Sequence, residues 1–204
     1  MAPKARILHQ ADQLFLQNGI KSVSMDDIAA ALAMSKKTLY KTFANKDELV
    51  QAVMARHIEQ SQHTCDGIAA RAANAVEELV LTSRWADQQF GHIHPSIFHD
   101  MRKYHPEAWA FFGTHKNTYV LNQITQNLRR GIAEGLFRPD LDVDVLARLS
   151  LAQIDLAFNP DFYPPGQFRP ARVSRVLDEH FLLGVVTLKG HRLFNQYQHI
   201  DEDE

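Results

Sequence analysis

A single cysteine, Cys65, stands in 204 residues. One thiol excludes an internal disulfide framework and suits a reducing compartment, so the chain is expected in the cytoplasm. Its ordinary role is a small thiol packed on a helix. No stretch approaches the run of about 18 apolar residues that a membrane span needs, and no membrane partner is expected. The first residues, Met1-Ala2-Pro3-Lys4-Ala5-Arg6, lack the apolar centre of a signal peptide. There is no phosphate loop, no dinucleotide glycine fingerprint and no Ser-His-Asp order. The paired acids Asp26-Asp27 and Glu77-Glu78 are adjacent on helices and point apart, so they cannot share a substrate. No catalytic residue, cofactor or enzymatic activity is therefore expected. Strand signals are absent from residue 66 onward, as are repeats and low-complexity segments. The remaining expectation is an ordinary all-α globular chain.

An apolar content of 45% supports such a core, and the length fits one large domain or a small and a larger one. The net charge of −2 does not suggest nucleic acid, but its distribution is uneven. Residues 1–60 hold eight Lys and Arg against six Asp and Glu, whereas residues 61–204 hold 14 against 18. The basic bias lies in the N-terminal part, where binding by counterion release would need it.

The stretch from Ser24 to Lys46 predicts two short helices with a tight turn between them. Ser24 is an N-cap, and Asp26 and Asp27 occupy the first turn, where the helix dipole favours carboxylates. Ile28, Ala29 and Leu32 form an apolar stripe. The turn falls at Ala33-Met34, and Ser35 caps the second helix. Leu39 and Phe43 lie on one face of that helix. Lys36, Lys37, Thr38, Tyr40 and Lys41 cover the other. So short a helix is stable only when held by its neighbours. Its basic side then faces outward, as in a recognition helix that enters the major groove.

The run Asp27-Ile28-Ala29, then Met34-Ser35-Lys36-Lys37-Thr38-Leu39-Tyr40, Phe43 and Lys46-Asp47-Glu48-Leu49, resembles the DNA-binding domain of the TetR family of bacterial transcription regulators. The resemblance covers roughly the first 60 residues. Ala33 departs from it, since the family often has Gly there; a left-handed Ala costs on the order of 1 kcal/mol. The resemblance implies a helix-turn-helix domain over residues 1–62, with the motif at about 26–45. It implies an effector-binding and dimerisation domain over 63–204, with about nine helices in all. The implied partners are a double-stranded DNA operator, a small-molecule effector and a second copy of the chain, and the implied action is most often repression. DNA contacts are expected from Ser24, Ser35, Lys36, Lys37, Thr38, Tyr40, Lys41 and Lys46. Of these, Lys36 and Lys37 are placed on base edges, and Thr38, Tyr40 and Lys46 on phosphates.

Periodicity fills in the rest. A first helix spans 4–17 and ends at Asn18-Gly19 with a left-handed cap. A fourth starts at Asn45, with Glu48 three residues on, and the domain boundary is expected near 60–66. Further helices are expected at 67–90, from Pro95 to about Tyr104, and at 106–134 with Gly113 as a bend and Gly135 as a C-cap. The last two are expected at 143–158 and 171–189. The final acidic residues, Asp201 to Glu204, are expected to fray. At 29 residues, the 106–134 helix would be roughly 44 Å long.

Two further groups of residues carry functional expectations. The aromatics Trp85, Phe90, Trp109, Phe112, Tyr119 and Phe158 resemble an effector pocket, beside the plainer reading of core packing. On the last two helices, Leu149, Ala152, Leu156, Val173, Leu177, Phe181, Gly184 and Leu188 are expected to form the dimer interface. The alternatives are a metal-responsive regulator using His92, His94 and His99, whose spacing fits no zinc pattern, and a helical enzyme or adaptor without DNA binding.

Overall fold

A computed structural model describes residues 3–91, 93–164 and 166–198, with every side chain in those ranges except that of Phe90. Expectations on His92, the Phe90 side chain and the tail from Asp201 to Glu204 lie outside the described residues. The elements in chain order are α1 (Pro3–Asn18), α2 (Met25–Ala31), α3 (Lys36–Thr42), α4 (Lys46–Arg71), α5 (Ala75–Phe90), α6 (Ile97–Tyr104), α7 (Pro106–His115), a π-helical turn (Lys116–Val120), α8 (Leu121–Ala133), α9 (Val143–Ala157), α10 (Pro170–Val185) and α11 (Leu188–Gln198). No β-strand occurs among the described residues; an isolated antiparallel bridge joins Phe137 and Val186. The all-α expectation holds.

The chain divides into two compact units. The first comprises residues 1–61 and 92–115; the second comprises residues 62–91 and 116–204. Residues 92–115 therefore go with the N-terminal helices, unlike the expected division at 62/63.

In the first unit α1, α2, α3 and the start of α4 bury Ile7, Phe15, Ile28, Leu39, Phe43 and Leu49, and Ile97, Met101 and Ala108 of α6 and α7 belong to the same core. Local chemistry sets the helix ends. Ser24 and Asp27 form a reciprocal capping box on α2. Asn45 caps α4 through the Glu48 N–H at 2.9 Å, while the Glu48 carboxylate accepts the Ala44 N–H at 2.6 Å. Gly19 has φ +78°, and a Cβ there would lie 2.5 Å from the Ser96 hydroxyl. The turn thus needs glycine both for its left-handed backbone and for the close approach of the 93–100 segment.

In the second unit the core is built from Val76, Val80, Leu128, Phe137, Ala147, Phe181, Leu182, Val185 and Phe194. Arg130 ties the α4–α5 turn to the end of α8: it donates to the Ala72 carbonyl at 2.9 Å and pairs with Glu78 and Glu134.

Three boundaries differ from expectation, and one helix was not foreseen. α4 runs on to Arg71, and the break falls at 72–74, where the Asn74 side chain accepts the Glu77 N–H at 2.9 Å. The Asn74-x-x-Glu77 spacing was the available signal. The 106–134 rod is interrupted by the π-turn rather than bent at Gly113; Lys116 in that turn is buried and paired with Asp155. The last expected helix stops at Val185 because Val186 is extended (φ −74°, ψ 149°). The main chain there is pinned by Arg138 N–H to the Val185 carbonyl at 2.9 Å and Thr187 N–H to the Leu136 carbonyl at 2.8 Å. A further helix, α11, follows. Its signals were Thr187, whose hydroxyl accepts the Gly190 N–H at 3.2 Å, and the Leu193, Phe194, Tyr197 stripe.

Candidate nucleic-acid interface

The turn between α2 and α3 is a complete Schellman motif. Met34 N–H reaches the Ala29 carbonyl at 2.9 Å, and Ala33 N–H reaches the Ala30 carbonyl at 3.0 Å. Ala33 occupies the left-handed position at φ +49°, the only non-glycine positive φ among the described residues. The motif aims α3 by closing the carbonyl end of α2.

Ser35 caps α3: its hydroxyl accepts the Thr38 N–H at 3.1 Å and sits 2.8 Å from the Thr38 hydroxyl. Leu39 and Phe43 are almost wholly buried, whereas Lys36, Lys37, Thr38, Tyr40 and Lys41 are exposed. The sequence thus places one face of α3 in the core and leaves a basic, hydrogen-bonding face in solvent. Lys36 is held by Asp26 of α2 at 2.5 Å. The pair is exposed and screened by solvent, so Lys36 can exchange it for another partner at little cost. Ser24 and Ser35 are exposed but already engaged as caps.

Lys46 differs from expectation. It is half-buried, its ammonium donates to the Ile20 carbonyl at 2.6 Å, and burial holds its pKa below the ordinary lysine value. The N–H of the same peptide group, on Lys21, donates to the buried Asp100 carboxylate at 3.0 Å. One peptide is therefore gripped from both sides, by α4 and by α6. This makes Lys46 first an anchor of the turn ahead of α2, not a free outward cation. Sequence periodicity gave no sign of the grip, because Asp100 is 79 residues from Lys21.

The expected effector aromatics are divided between the two units. Trp109 and Phe112 lie in the first unit, with Phe112 5.4 Å from the Phe98 ring and 5.9 Å from that of Trp109. Trp85, Tyr119 and Phe158 are in the second unit and partly buried. The Tyr119 hydroxyl donates to Asp66 at 2.7 Å. Within the same unit Asp178 of α10 accepts the Ser83 hydroxyl of α5 at 2.9 Å. Burial pushes the Asp178 carboxyl up to about 6, and the nearby Asp87 carboxylate adds to the rise.

The dimer expectations separate by face. Val173 and Phe181 are buried within the single chain. Leu156 and Leu177 are partly buried. Leu149 is 49% exposed, Ala152 and Gly184 are also exposed, and Leu188 is exposed at the start of α11. Unforeseen members of the outward face are Val145 at 60%, Val176 at 56% and Leu183 at 42% exposure. Both sides of α9 and α10 are apolar, so sequence alone could not say which side was inward.

Among the described residues, no three metal-ligating side chains converge. His94 bonds to the Ser96 hydroxyl at 3.0 Å, His105 is paired with Asp47, and His99 is exposed. No described helix is long and apolar enough to cross a membrane.

Comparison with known proteins agrees with this arrangement. The family model described as bacterial regulatory proteins, tetR family, matches residues 7–53. The HTH-type transcriptional regulator YvaF of Bacillus subtilis is 27% identical over 187 residues, covering 88% of this chain and 94% of that protein. The HTH-type transcriptional repressor KstR2 of Mycobacterium tuberculosis is 26% identical over 152 residues, covering 71% and 74%. Among solved structures, a transcriptional regulator from Saccharomonospora viridis in complex with choline superposes with a TM-score of 0.70 at 20% identity, covering 90% of this chain and 97% of that one. Proteins of this kind are DNA-binding regulators rather than enzymes. With its exposed basic α3 and its capped helix-turn-helix, the chain carries over residues 7–53 the DNA-binding domain of the bacterial regulatory proteins of the tetR family.

Proposed function

We propose that the protein is a repressor that binds a palindromic operator as a homodimer and is released by a small, largely apolar effector. The observation that carries the DNA reading is the two-sided character of α3, with Leu39 and Phe43 sealed in the core and Lys36, Lys37, Thr38, Tyr40 and Lys41 turned outward. Lys36 and Lys37, in the first turn, reach base edges; Thr38, Tyr40 and Lys41 position the helix on phosphates. The name of the M. tuberculosis relative supports repression.

A single recognition helix reads too few base pairs for useful specificity in a genome. The exposed stripe of Val145, Leu149, Val176 and Leu183 supports an isologous pairing of α9 and α10 with a second copy, and Ala152 and Gly184 allow close approach. The effector binds within the second unit, against Trp85, Tyr119 and Phe158. It releases DNA by the difference between its affinities for the two states of the protein.

Selection of bound DNA from a random pool tests this reading. A palindrome is expected, and Lys37→Ala should change preference at one position by roughly 1–3 kcal/mol. Leu149→Glu should give a monomer in sedimentation that no longer binds the palindrome. An unmodified protein that sediments at 23 kDa at micromolar concentration would overturn the dimer.

A further inference from the structure

Beyond α3, a second group of cations stands on the first unit. Lys21, in the turn before α2, places its ammonium 5.4 Å from the centre of the Tyr104 ring. Lys103 of α6 places its own at 5.3 Å. All three residues are exposed, and Arg102 beside them is exposed as well. Among the described residues none of these three cations is paired with a carboxylate. The two ammonium groups act on the Tyr104 phenol, whose pKa is drawn below the ordinary tyrosine value by hydrogen bonding to Lys21 and then to Lys103.

Basic residues in the last turn of a helix complement its dipole. That accounts for Arg102 and Lys103 on α6, but not for Lys21, which comes from another element. Convergence of like charges from two elements, with neither ammonium ion-paired to a carboxylate, is unfavourable unless an anion is met. The cluster is also held firmly. The Lys21 N–H is fixed by Asp100 at 3.0 Å, the preceding carbonyl by Lys46 at 2.6 Å, and the His94 N–H by the Leu16 carbonyl at 2.9 Å. His105, next to Tyr104, is paired with Asp47 in the first turn of α4. The cluster is therefore built into the same compact unit as the helix-turn-helix and lies at the start of α4.

We propose that Lys21, Lys103 and Tyr104 form a second contact with the DNA sugar-phosphate backbone, on the flank of the half-site read by α3. The two ammonium groups and the phenol hydroxyl form a three-donor cradle for phosphate oxygens. The contact carries no sequence information; it adds affinity and fixes the angle at which the duplex lies. The inference rests on the DNA-binding function.

The test uses the full-length protein and two duplexes, one ending at the palindrome selected by the protein and one carrying random flanks. Lys21→Gln and Lys103→Gln should each lower the salt dependence of binding, log K against log salt, by about one on the flanked duplex. The double variant should lower it by about two. On the trimmed duplex the variants and the unmodified protein should converge. Lys189→Gln, on α11, should leave both duplexes unaffected, and Tyr104→Phe should weaken the flanked duplex alone. Melting temperatures of all variants should match that of the unmodified protein. An unchanged salt slope for the double variant on the flanked duplex would overturn the proposal and leave the cluster to an acidic protein segment. Lys37→Ala, read in the same assay, keeps the two ideas apart. If it still shifts base preference while the patch variants do nothing, the patch fails and the recognition helix stands.

Discussion

Replacing Ala33 by glycine should stabilise the protein, a consequence that follows from one dihedral angle. Ala33 sits at φ +49° in the C′ position of the Schellman turn that closes α2. An L-residue with a Cβ loses roughly 1–2 kcal/mol in that conformation. Glycine avoids this cost but has more freedom in the unfolded chain, which returns roughly 0.5–1 kcal/mol. Ala33 is exposed, so its methyl group contributes no core packing. The balance is a net stabilisation of about 0.5–1 kcal/mol. Urea unfolding at a fixed protein concentration is the appropriate assay, because dimerisation would make the midpoint concentration-dependent. With a denaturant slope of about 2 kcal/mol/M, the midpoint should rise by roughly 0.3 M with the slope unchanged. The two turn hydrogen bonds, at 2.9 and 3.0 Å, do not involve the side chain. The angle between α2 and α3, and with it operator affinity, should therefore stay the same. Ala33→Val should move the midpoint the other way, since a β-branched residue tolerates positive φ least. A glycine variant with an equal or lower midpoint would refute the idea that this turn is strained.

Two further outcomes follow from buried polar groups. Asp178 has a carboxyl pushed up to about 6 by burial, against 3.8 for the unburied group. The folded state therefore holds its proton more tightly than the unfolded state does, and stability should fall as pH rises from about 4 through 6. Ionisation costs on the order of 3 kcal/mol; Asp178→Asn should recover much of that at pH 7.5 and flatten the difference between unfolding at pH 4.5 and pH 7.5. An unaltered pH profile in the variant would count against the burial of this carboxylate. Lys46→Ala should leave the Ile20 carbonyl without its donor, lowering stability by roughly 1–3 kcal/mol. Filter binding should then show weaker affinity for all DNA sequences alike; unchanged affinity together with unchanged stability would show that the grip on the 20–21 peptide is idle.

Residues close in sequence determined much of this protein by themselves. Ser24 with Asp27, Ser35 with Thr38, and Asn45 with Glu48 each satisfy helix-end N–H groups within a few positions, so the helix-turn-helix was legible from order alone. The spacing of Leu39 and Phe43 likewise settled which side of α3 is buried, because one side of a seven-residue helix was apolar and the other was not. The left-handed turn at Ala33 was implied only by the resemblance, through the glycine that the family often has there. Tertiary structure decided what depends on partners far along the chain. Lys46 reads as a surface cation until the Ile20 carbonyl takes its ammonium. Residues 92–115 read as part of the C-terminal domain until Asp100 and His105 find Lys21 and Asp47, 79 and 58 residues away. The helices α9 and α10 are apolar on more than one side, so periodicity could not choose between Val173 and Val176, or between Phe181 and Leu183. That choice belongs to the helices packed against them. A local hydrogen bond needs only its neighbours in sequence, whereas burial is a property of the whole unit.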